Sequence, residues 1–277
     1  DGVVEMMLDA TQKFDAPLTS ERLFGWHAAL FPTGRSGMHP ITVGAWRTDE
    51  NGPMQVRSGP MGKERVHFQA PGAARLLAEM REFLSWFNAP LDAPATDPVL
   101  KAAVAHLWFV TVHPFDDGNG RIARAIADMV LSRADNTKER FYSMSSAIEA
   151  QRTEYYLQLE SAQRGSLDIT SWLAWFLQCL DFALEDAGKS LGSVLRKARL
   201  WERINERPVN ERQRRVINRM LNDFRGHLTT SKYAKLAKCS TDTALRDIRE
   251  LLERGLVIKN EGGRSTSYRL AEPDEPA

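Results

Sequence analysis

The segment His113-Pro114-Phe115-Asp116-Asp117-Gly118-Asn119-Gly120-Arg121-Ile122-Ala123-Arg124 constrains the fold of this chain more than any other. An apolar run over residues 99–112 precedes it, and Ile122, Ile126, Met129 and Val130 follow at helical spacing. Two helices therefore meet at a short loop that carries two glycines, two carboxylates, an amide and a histidine. Gly-x-Gly suits such a loop, because glycine lets backbone N–H groups converge with no Cβ in the way. A loop of this kind at a helix N-terminus is an anion site before any side chain is counted.

The side chains extend that reading. Arg121 and Arg124 are three residues apart on the second helix, so both can face one ligand. Two guanidinium forks suit a polyphosphate. Gly118, Asn119, Gly120, Arg121 and Arg124 are thus the expected phosphate cradle, with Asn119 either donating to a phosphate or holding the turn. Asp117 is placed to hold a hard cation such as Mg2+, which takes one or two carboxylates and keeps most of its waters. His113, at the junction of helix and loop, is placed to take a proton from an incoming hydroxyl. Nucleotide or phosphoryl transfer is the chemistry that these residues predict. A capped helix–loop–helix with no chemistry would need one Asp or Asn, not this density of polar groups.

Around the loop the chain reads as mainly helical. Thr19 or Ser20 caps a helix with Leu23, Trp26 and Leu30, in which His27 is expected to be packed and hydrogen-bonded. From Gly34 to Pro71 helical periodicity gives way to glycines, prolines and short alternating runs. Residues 54–58 and 65–69 flank Gly59-Pro-Met-Gly62 as a hairpin. An amphipathic helix follows over 72–87, with Leu76, Leu77, Met80, Phe83, Leu84 and Phe87 on its buried side. Residues 88–96 form a loop, and Asp97-Pro98 opens the apolar helix as a cap and first residue. His106 falls within that helix as a core histidine. Beyond the motif a helix is expected over 138–164, another over 172–184, and a charged connector helix over 190–207.

Charge divides the chain. Residues 196–270 hold 19 Lys/Arg against 9 Asp/Glu, whereas residues 1–195 hold 18 against 24. That asymmetry predicts a separate basic unit. Helices over 211–224, 229–238 and 241–254, then strands over 256–260 and 267–270 around Glu261-Gly-Gly-Arg264, give a winged helix-turn-helix outline. Thr241, Asp242, Thr243, Arg246, Arg249 and Glu250 would be exposed on its third helix. Arg and Thr suit DNA, but Asp242, Asp247 and Glu250 would repel a phosphate backbone, so protein docking is preferred over DNA binding. Cys179 and Cys239 lie far apart and form no disulfide framework or thiolate site. No signal peptide or spanning segment is read, so a bacterial-type cytoplasm and no membrane partner are expected.

The string from His113 to Arg124 resembles, without departure, the Fic family signature His-x-Phe-x-Asp/Glu-Gly-Asn-Gly-Arg-x-x-Arg. The resemblance implies a helical Fic domain over residues 1–189, with a β-hairpin flap within 41–70 that aligns a target peptide by strand addition. A connector over 190–208 and a small α+β winged-helix domain over 209–277 complete the expected architecture. The implied activity is protein adenylylation: AMP passes from ATP to a Ser, Thr or Tyr hydroxyl of a target protein, with Mg2+ required and pyrophosphate released. By the family pattern His113 is the base, Asp117 the metal ligand, Asn119 and Arg121 phosphate contacts, and Arg124 the γ-phosphate contact. The alternatives are a Fic enzyme that moves another nucleotide or phosphoryl group, or a DNA-binding regulator whose Fic domain is regulatory or self-modifying. Homodimerisation is compatible with the number of apolar helices. The family's inhibitory pattern Ser/Thr-x-x-x-Glu-Gly/Asn occurs nowhere in the 277 residues. Since the chain starts without Met inside an apolar pattern, that helix is expected upstream of residue 1, and its absence is expected to raise activity.

Overall fold

A computed structural model describes residues 2–50, 52–60, 62–90, 97–222, 224, 226–260 and 266–271. The chain divides into two compact units, residues 1–187 and 188–277. The first contains α1 (Gly2–Gln12), α2 (Ser20–Leu30), β1 (Arg35–Ser36), β2 (His39–Pro40), β3 (Gln55–Ser58) and β4 (Arg65–Gln69). It continues with α3 (Ala73–Asn88), α4 (Pro98–Val112), α5 (Asn119–Asp135), α6 (Met144–Ala150) and α7 (Arg152–Arg164). Helix α8 (Thr170–Glu206) begins in the first unit and ends in the second. The second unit adds α9 (Glu211–Leu221), α10 (Thr230–Ala237), α11 (Thr241–Glu253), β5 (Val257–Lys259) and β6 (Tyr268–Leu270). Each β pair is a separate two-stranded antiparallel sheet, so the molecule is mainly α with small hairpins.

Helix α4 is the centre of the first unit. Ala102, Ala103, Ala105, His106, Leu107, Phe109 and Val110 are all buried, and the remaining strip of Leu100, Val104, Trp108 and Thr111 is half-buried, so no face of the helix is fully exposed. Asp97 caps it by accepting from the Val99 and Leu100 N–H groups, and Pro98 occupies the first position without wasting a donor. Its one lysine, Lys101, escapes the apolar surroundings by donating to the Ala89 carbonyl at 2.8 Å. Helix α5 lies against α4 through small residues, Ala123, Ala125 and Ala127, beside Ile122, Ile126 and Met129. On the far side Trp172, Trp175 and Phe176 of α8 close the core, and Trp172 Nε1 donates to the Ala103 carbonyl at 2.9 Å.

Several elements differ from the sequence reading. The helix expected over 138–164 is two helices. Ser143 caps α6, and residues 138–143 stay outside it while Arg140 reaches back to the buried carboxylate of Asp128 at 2.7 Å. Leu77 is 64 % exposed, because the buried stripe of α3 runs Leu76, Met80, Phe83, Phe87 and leaves position 77 outside it. In α1 only Met6 and Ala10 are buried, and the apolar Val3, Val4 and Leu8 are not. The helices expected over 172–184 and 190–207 are one, since only Gly188 interrupts the helix formers between them, at ~1 kcal/mol. Helix α9 ends at Leu221, short of Phe224. Residues 91–96 of the expected loop, Met61 at the hairpin turn and the Glu261–Arg264 tip lie outside the described residues.

In the second unit α9, α10 and α11 surround Val216, Ile217, Tyr233, Ile248 and Leu251, and the β5–β6 hairpin adds Val257 and Tyr268. Leu228 bridges to Tyr268 on the edge of β6 that faces away from β5. Asn210 and Gln213 form a reciprocal capping box at the start of α9. Asp247 corrects the sequence reading: it does not face outward. The spacing Ala244, Asp247, Ile248, Leu251 puts it on the buried side of α11, where Arg212 approaches both of its oxygens at 3.0 and 3.1 Å. Tyr233 Oη and Asn210 Nδ2 also donate to it, each at 3.2 Å. Glu250 is likewise engaged, by Gln213 Nε2 at 2.9 Å.

This network predicts the effect of Asp247→Ala. The substitution leaves the buried Tyr233 hydroxyl without its acceptor, which costs about 2 kcal/mol. Hydrogen exchange at the amides of α10 and α11 is expected to accelerate accordingly, with residues 1–187 unaffected. Unchanged exchange there would show that Asp247 is dispensable to the second unit.

Candidate active site

The loop between α4 and α5 turns in two left-handed steps. His113 ends α4 at φ 51°, ψ 58°, and Gly118 starts α5 at φ 83°, ψ −4°. The second step requires glycine twice over: φ is positive, and a Cβ there would come within 2.9 Å of the Phe31 ring. The first step is unusual for a residue with a side chain. It persists because His113 is held at three atoms. Its N–H donates to the Phe109 carbonyl at 3.0 Å, its carbonyl accepts from Arg47 Nε at 2.7 Å, and Nδ1 lies 3.1 Å from the Val110 carbonyl. The last contact puts the ring proton on Nδ1 and leaves Nε2 free to accept one. Burial lowers the pKa of His113 below 6.5, against the smaller upward pull of the Val110 carbonyl, so the ring is neutral near pH 7.

Asn119 closes the loop. Its Oδ1 accepts from the Phe115 N–H at 3.0 Å and its Nδ2 donates to the Phe115 carbonyl at 2.8 Å. The buried side chain therefore holds the turn, and what Asn119 can offer a ligand is its backbone N–H. No side chain caps α5. The first hydrogen bond of the helix runs from Ile122 N–H to the Gly118 carbonyl, so the N–H groups of Asn119, Gly120 and Arg121 have no partner within the helix. Such a helix start attracts an anion through these donors and through its dipole.

The two acidic residues of the loop have different surroundings. Asp116 accepts from the Thr42 N–H at 2.8 Å and ties down the segment that follows β2. Asp117 accepts from Ser36 Oγ and from its neighbour Gly118, and Arg121 Nη2 stands 3.7 Å from its Oδ2. Arg121 also lies over the Phe31 ring at 4.8 Å. A metal at this position would take one protein carboxylate, Asp117, with phosphate oxygens and waters completing its shell, an arrangement suited to Mg2+. Among the described residues there is no cluster of three or more His, Cys, Asp or Glu for a metal.

Arg124 lies one turn further along α5. Its Nη1 is 3.8 Å from where a Cβ on Gly120 would be, and the Tyr155 hydroxyl is 4.0 Å from the same point. A Cβ on Gly120 would make only ordinary contact with both groups. Tyr155 is held in turn by His106 Nε2 at 3.0 Å. The structure therefore brings His113, Asp117, Gly118, Asn119, Gly120, Arg121 and Arg124 into one loop and helix start.

Two residues that complete the site were not marked for it in the sequence. Arg47 is 2 % exposed; besides His113 it donates to the Pro71 carbonyl at 2.6 Å and pairs with Asp49 at 3.0 Å. Its backbone N–H meets the Pro114 carbonyl at 2.9 Å. No local pattern distinguishes this arginine from a surface one, because apart from Asp49 its partners lie 24 to 67 residues away. His27 is packed as expected, and its position lies directly behind the loop. Its ring stacks on Phe115 at 4.2 Å, Nδ1 accepts from the Gly44 N–H at 3.3 Å, and Nε2 lies 3.2 Å from the Asp117 carbonyl.

Similarity to known proteins covers the segment that contains this loop. Residues 17–131 match the family model of the Fic/DOC family. The chain is 32 % identical over 130 residues to protein adenylyltransferase fic-1 of Caenorhabditis briggsae, covering 47 % of this chain and 24 % of that protein. It is 33 % identical over 115 residues to protein adenylyltransferase Fic of Drosophila willistoni, covering 42 % of this chain and 21 % of that one. The chain thus spans less than a quarter of the length of these relatives. A Fic family protein from Desulfovibrio desulfuricans G20 shares the fold at a TM-score of 0.53 and 20 % identity, over 96 % of this chain and 72 % of its own. The chain contains a Fic domain related to those of the protein adenylyltransferases.

The buttress behind this domain's anion loop makes stability depend on pH. Burial holds His106 near a pKa of about 3 in the folded protein, against 6.5 for the free side chain. Its contribution is fully present above pH 6.5 and is lost as the pH falls from 6.5 towards 3, by up to ~1.4 kcal/mol per pH unit. Denaturant unfolding at pH 7, 6 and 5 is expected to show this decline. His106→Gln keeps a partner for Tyr155 and does not titrate, so it should reduce the slope by up to one proton. An unchanged slope would mean that His106 is not neutral in the folded state.

Proposed function

We propose that this Fic domain transfers AMP from ATP to a Ser, Thr or Tyr hydroxyl of a protein. The observation that carries this reading is the free Nε2 of a neutral His113 beside an uncapped helix start that also bears Arg121 and Arg124. The acceptor oxygen attacks the α-phosphorus and gives its proton to His113 Nε2. The bond from that phosphorus to the bridging oxygen breaks, and pyrophosphate leaves. The N–H groups of Asn119, Gly120 and Arg121 receive phosphate oxygens, and Arg121 and Arg124 supply the charge for the remainder of the polyphosphate. Bound Mg2+, held by Asp117, would neutralise charge on the departing pyrophosphate. Asn119 serves through its grip on Phe115, which keeps the helix start open. The β3–β4 hairpin is read as the flap that aligns an extended acceptor segment.

The second unit is read as a winged helix-turn-helix, and protein docking is its preferred role. DNA binding stands as a second reading on one observation. Two of the three acids counted against it, Asp247 and Glu250, are engaged within the unit, while Arg246 and Arg249 are exposed on α11. No helix among the described residues is long and apolar enough to cross a membrane.

Intact mass after incubation with ATP and Mg2+ tests the activity. An added AMP group on a target or on the chain itself is expected, and His113→Ala should abolish it. The lowered pKa of His113 places the acid limb of the rate below pH 6.5. An adduct with the mass of a phosphate would overturn adenylyl transfer in favour of phosphotransfer, and an adduct from the His113→Ala protein would remove its role as base. For the second reading, fluorescence anisotropy with a mixed-sequence duplex should show binding that Arg246→Ala and Arg249→Ala weaken and added salt reduces. Absence of binding at low salt would leave docking as the role of the unit.

A further inference from the structure

The β3–β4 hairpin lacks an apolar anchor. Of residues 52–69, none that is described is buried, and Ala70 is the first buried residue after the second strand. A two-stranded hairpin is marginal by itself in water, so its placement must come from elsewhere. It comes from α7. Arg164 donates from Nε to the His67 carbonyl at 2.7 Å and from Nη2 to the Val66 carbonyl at 2.6 Å. Glu160 receives Arg65 Nη2 on Oε1 and His67 Nδ1 on Oε2, both at 2.7 Å. Arg164 Nη1 stands 3.1 Å from the same Oε1, so the two α7 side chains brace one another. The bond from His67 is the foremost of the contacts that hold the Glu160 carboxyl below its usual range.

The gripped residue occupies a special place in the strand. Val56 faces Phe68 and Arg57 faces Val66, which leaves His67 as the extra residue of a β-bulge. Bulges redirect side chains and bend the strand that carries them. Here the bulge turns the His67 imidazole towards Glu160, and Ser58 Oγ meets Nε2 from the opposite strand at 2.6 Å. Both strands are therefore tied at one point.

Helix α7 is also fixed to α4, the helix that ends at His113. Gln163 Nε2 lies 3.3 Å from Thr111 Oγ1, two residues before His113, and Tyr155 meets His106 of the same helix. One rigid helix thus refers both the hairpin and the base to a common frame. We propose that Glu160 and Arg164 are positioning residues for the acceptor: they latch the hairpin at the His67 bulge, in the register that presents an extended protein segment to His113. This rests on the adenylyl-transfer reading only for the identity of the step; the latch itself is a property of the free protein.

The test uses Glu160→Ala, Arg164→Ala and Arg164→Lys, the last keeping the charge without the two-pronged fork. Hydrogen exchange of the free protein should accelerate at residues 55–69 in all three, by about tenfold, equivalent to ~1.4 kcal/mol. The His113→Ala copy of this chain then serves as acceptor with ATP and Mg2+. The apparent KM for that acceptor should rise by about tenfold, with kcat and the affinity for ATP changed less than about twofold. Unchanged exchange at 55–69 would overturn the latch, as would a fall in kcat with KM constant. Full activity of Arg164→Lys would overturn the role of the fork. If the wild-type chain labels no acceptor while the exchange result holds, the adenylyl-transfer reading fails and the latch stands.

Discussion

The site depends on one side chain closing on one peptide unit. Asn119 takes both the N–H and the carbonyl of Phe115 and so completes a turn between two helices that lie side by side. Without that closure the six residues between α4 and α5 would have backbone groups to satisfy in a buried setting. With it, Phe115 drops into the core between His27, Phe24 and Trp46, and the start of α5 is left uncapped. Apolar anchorage and an open anion site are thus two results of the same amide. The left-handed conformation of His113 is sustained in the same manner. A conformation of this kind persists where its surroundings over-determine it, and three hydrogen bonds to atoms of one residue do so here.

The segment from Arg35 to Asp49 has little regular structure of its own and is fixed almost entirely by the loop it covers. Ser36 reaches Asp117, Thr42 reaches Asp116, Gly44 reaches His27, and Arg47 reaches His113 and Pro114. Burying the Arg47 guanidinium is unfavourable, and desolvation lowers its pKa accordingly. Three acceptors around the planar group offset that cost. The arrangement also separates two acids that look equivalent in the sequence. Both are tied to the covering segment, Asp116 through the Thr42 N–H and Asp117 through the Ser36 hydroxyl, but Asp117 also stands 3.7 Å from Arg121.

What could be read from the sequence was what is local. Cap residues Thr19 and Asp97 and the apolar helix all involve neighbours within a few positions, and these emerged with the correct places. Failures arose where a distant partner decided the outcome. Ser143 and the Arg140–Asp128 pair break the helix expected over 138–164. Periodicity alone overextended the buried stripe of α3 to Leu77. Asp247 was counted among the acids that would repel a phosphate backbone; Arg212, Tyr233 and Asn210 engage it within the unit through contacts 14 to 37 residues away. Arg47 gave no signal at all, since a buried arginine is recognisable only from its acceptors.

The same division bears on specificity. On the adenylyl-transfer proposal, the twelve-residue segment from His113 to Arg124 supplies the proton acceptor, the anion donors and the cation ligand from residues that are neighbours in the chain. That set would define a phosphorus-centred step and little else. Which segment meets the base depends on groups outside it: the hairpin, the α7 side chains that hold it, and the covering segment from Arg35 to Asp49. Substitutions in those parts leave Asn119 closed on Phe115 and the helix start open, because none of their bonds substitutes for that amide. A fold built this way can change its acceptor without rebuilding its chemistry. On that proposal the acceptor is to be sought in the shape and chemistry of the surface over which β3 and β4 lie, and not in the loop.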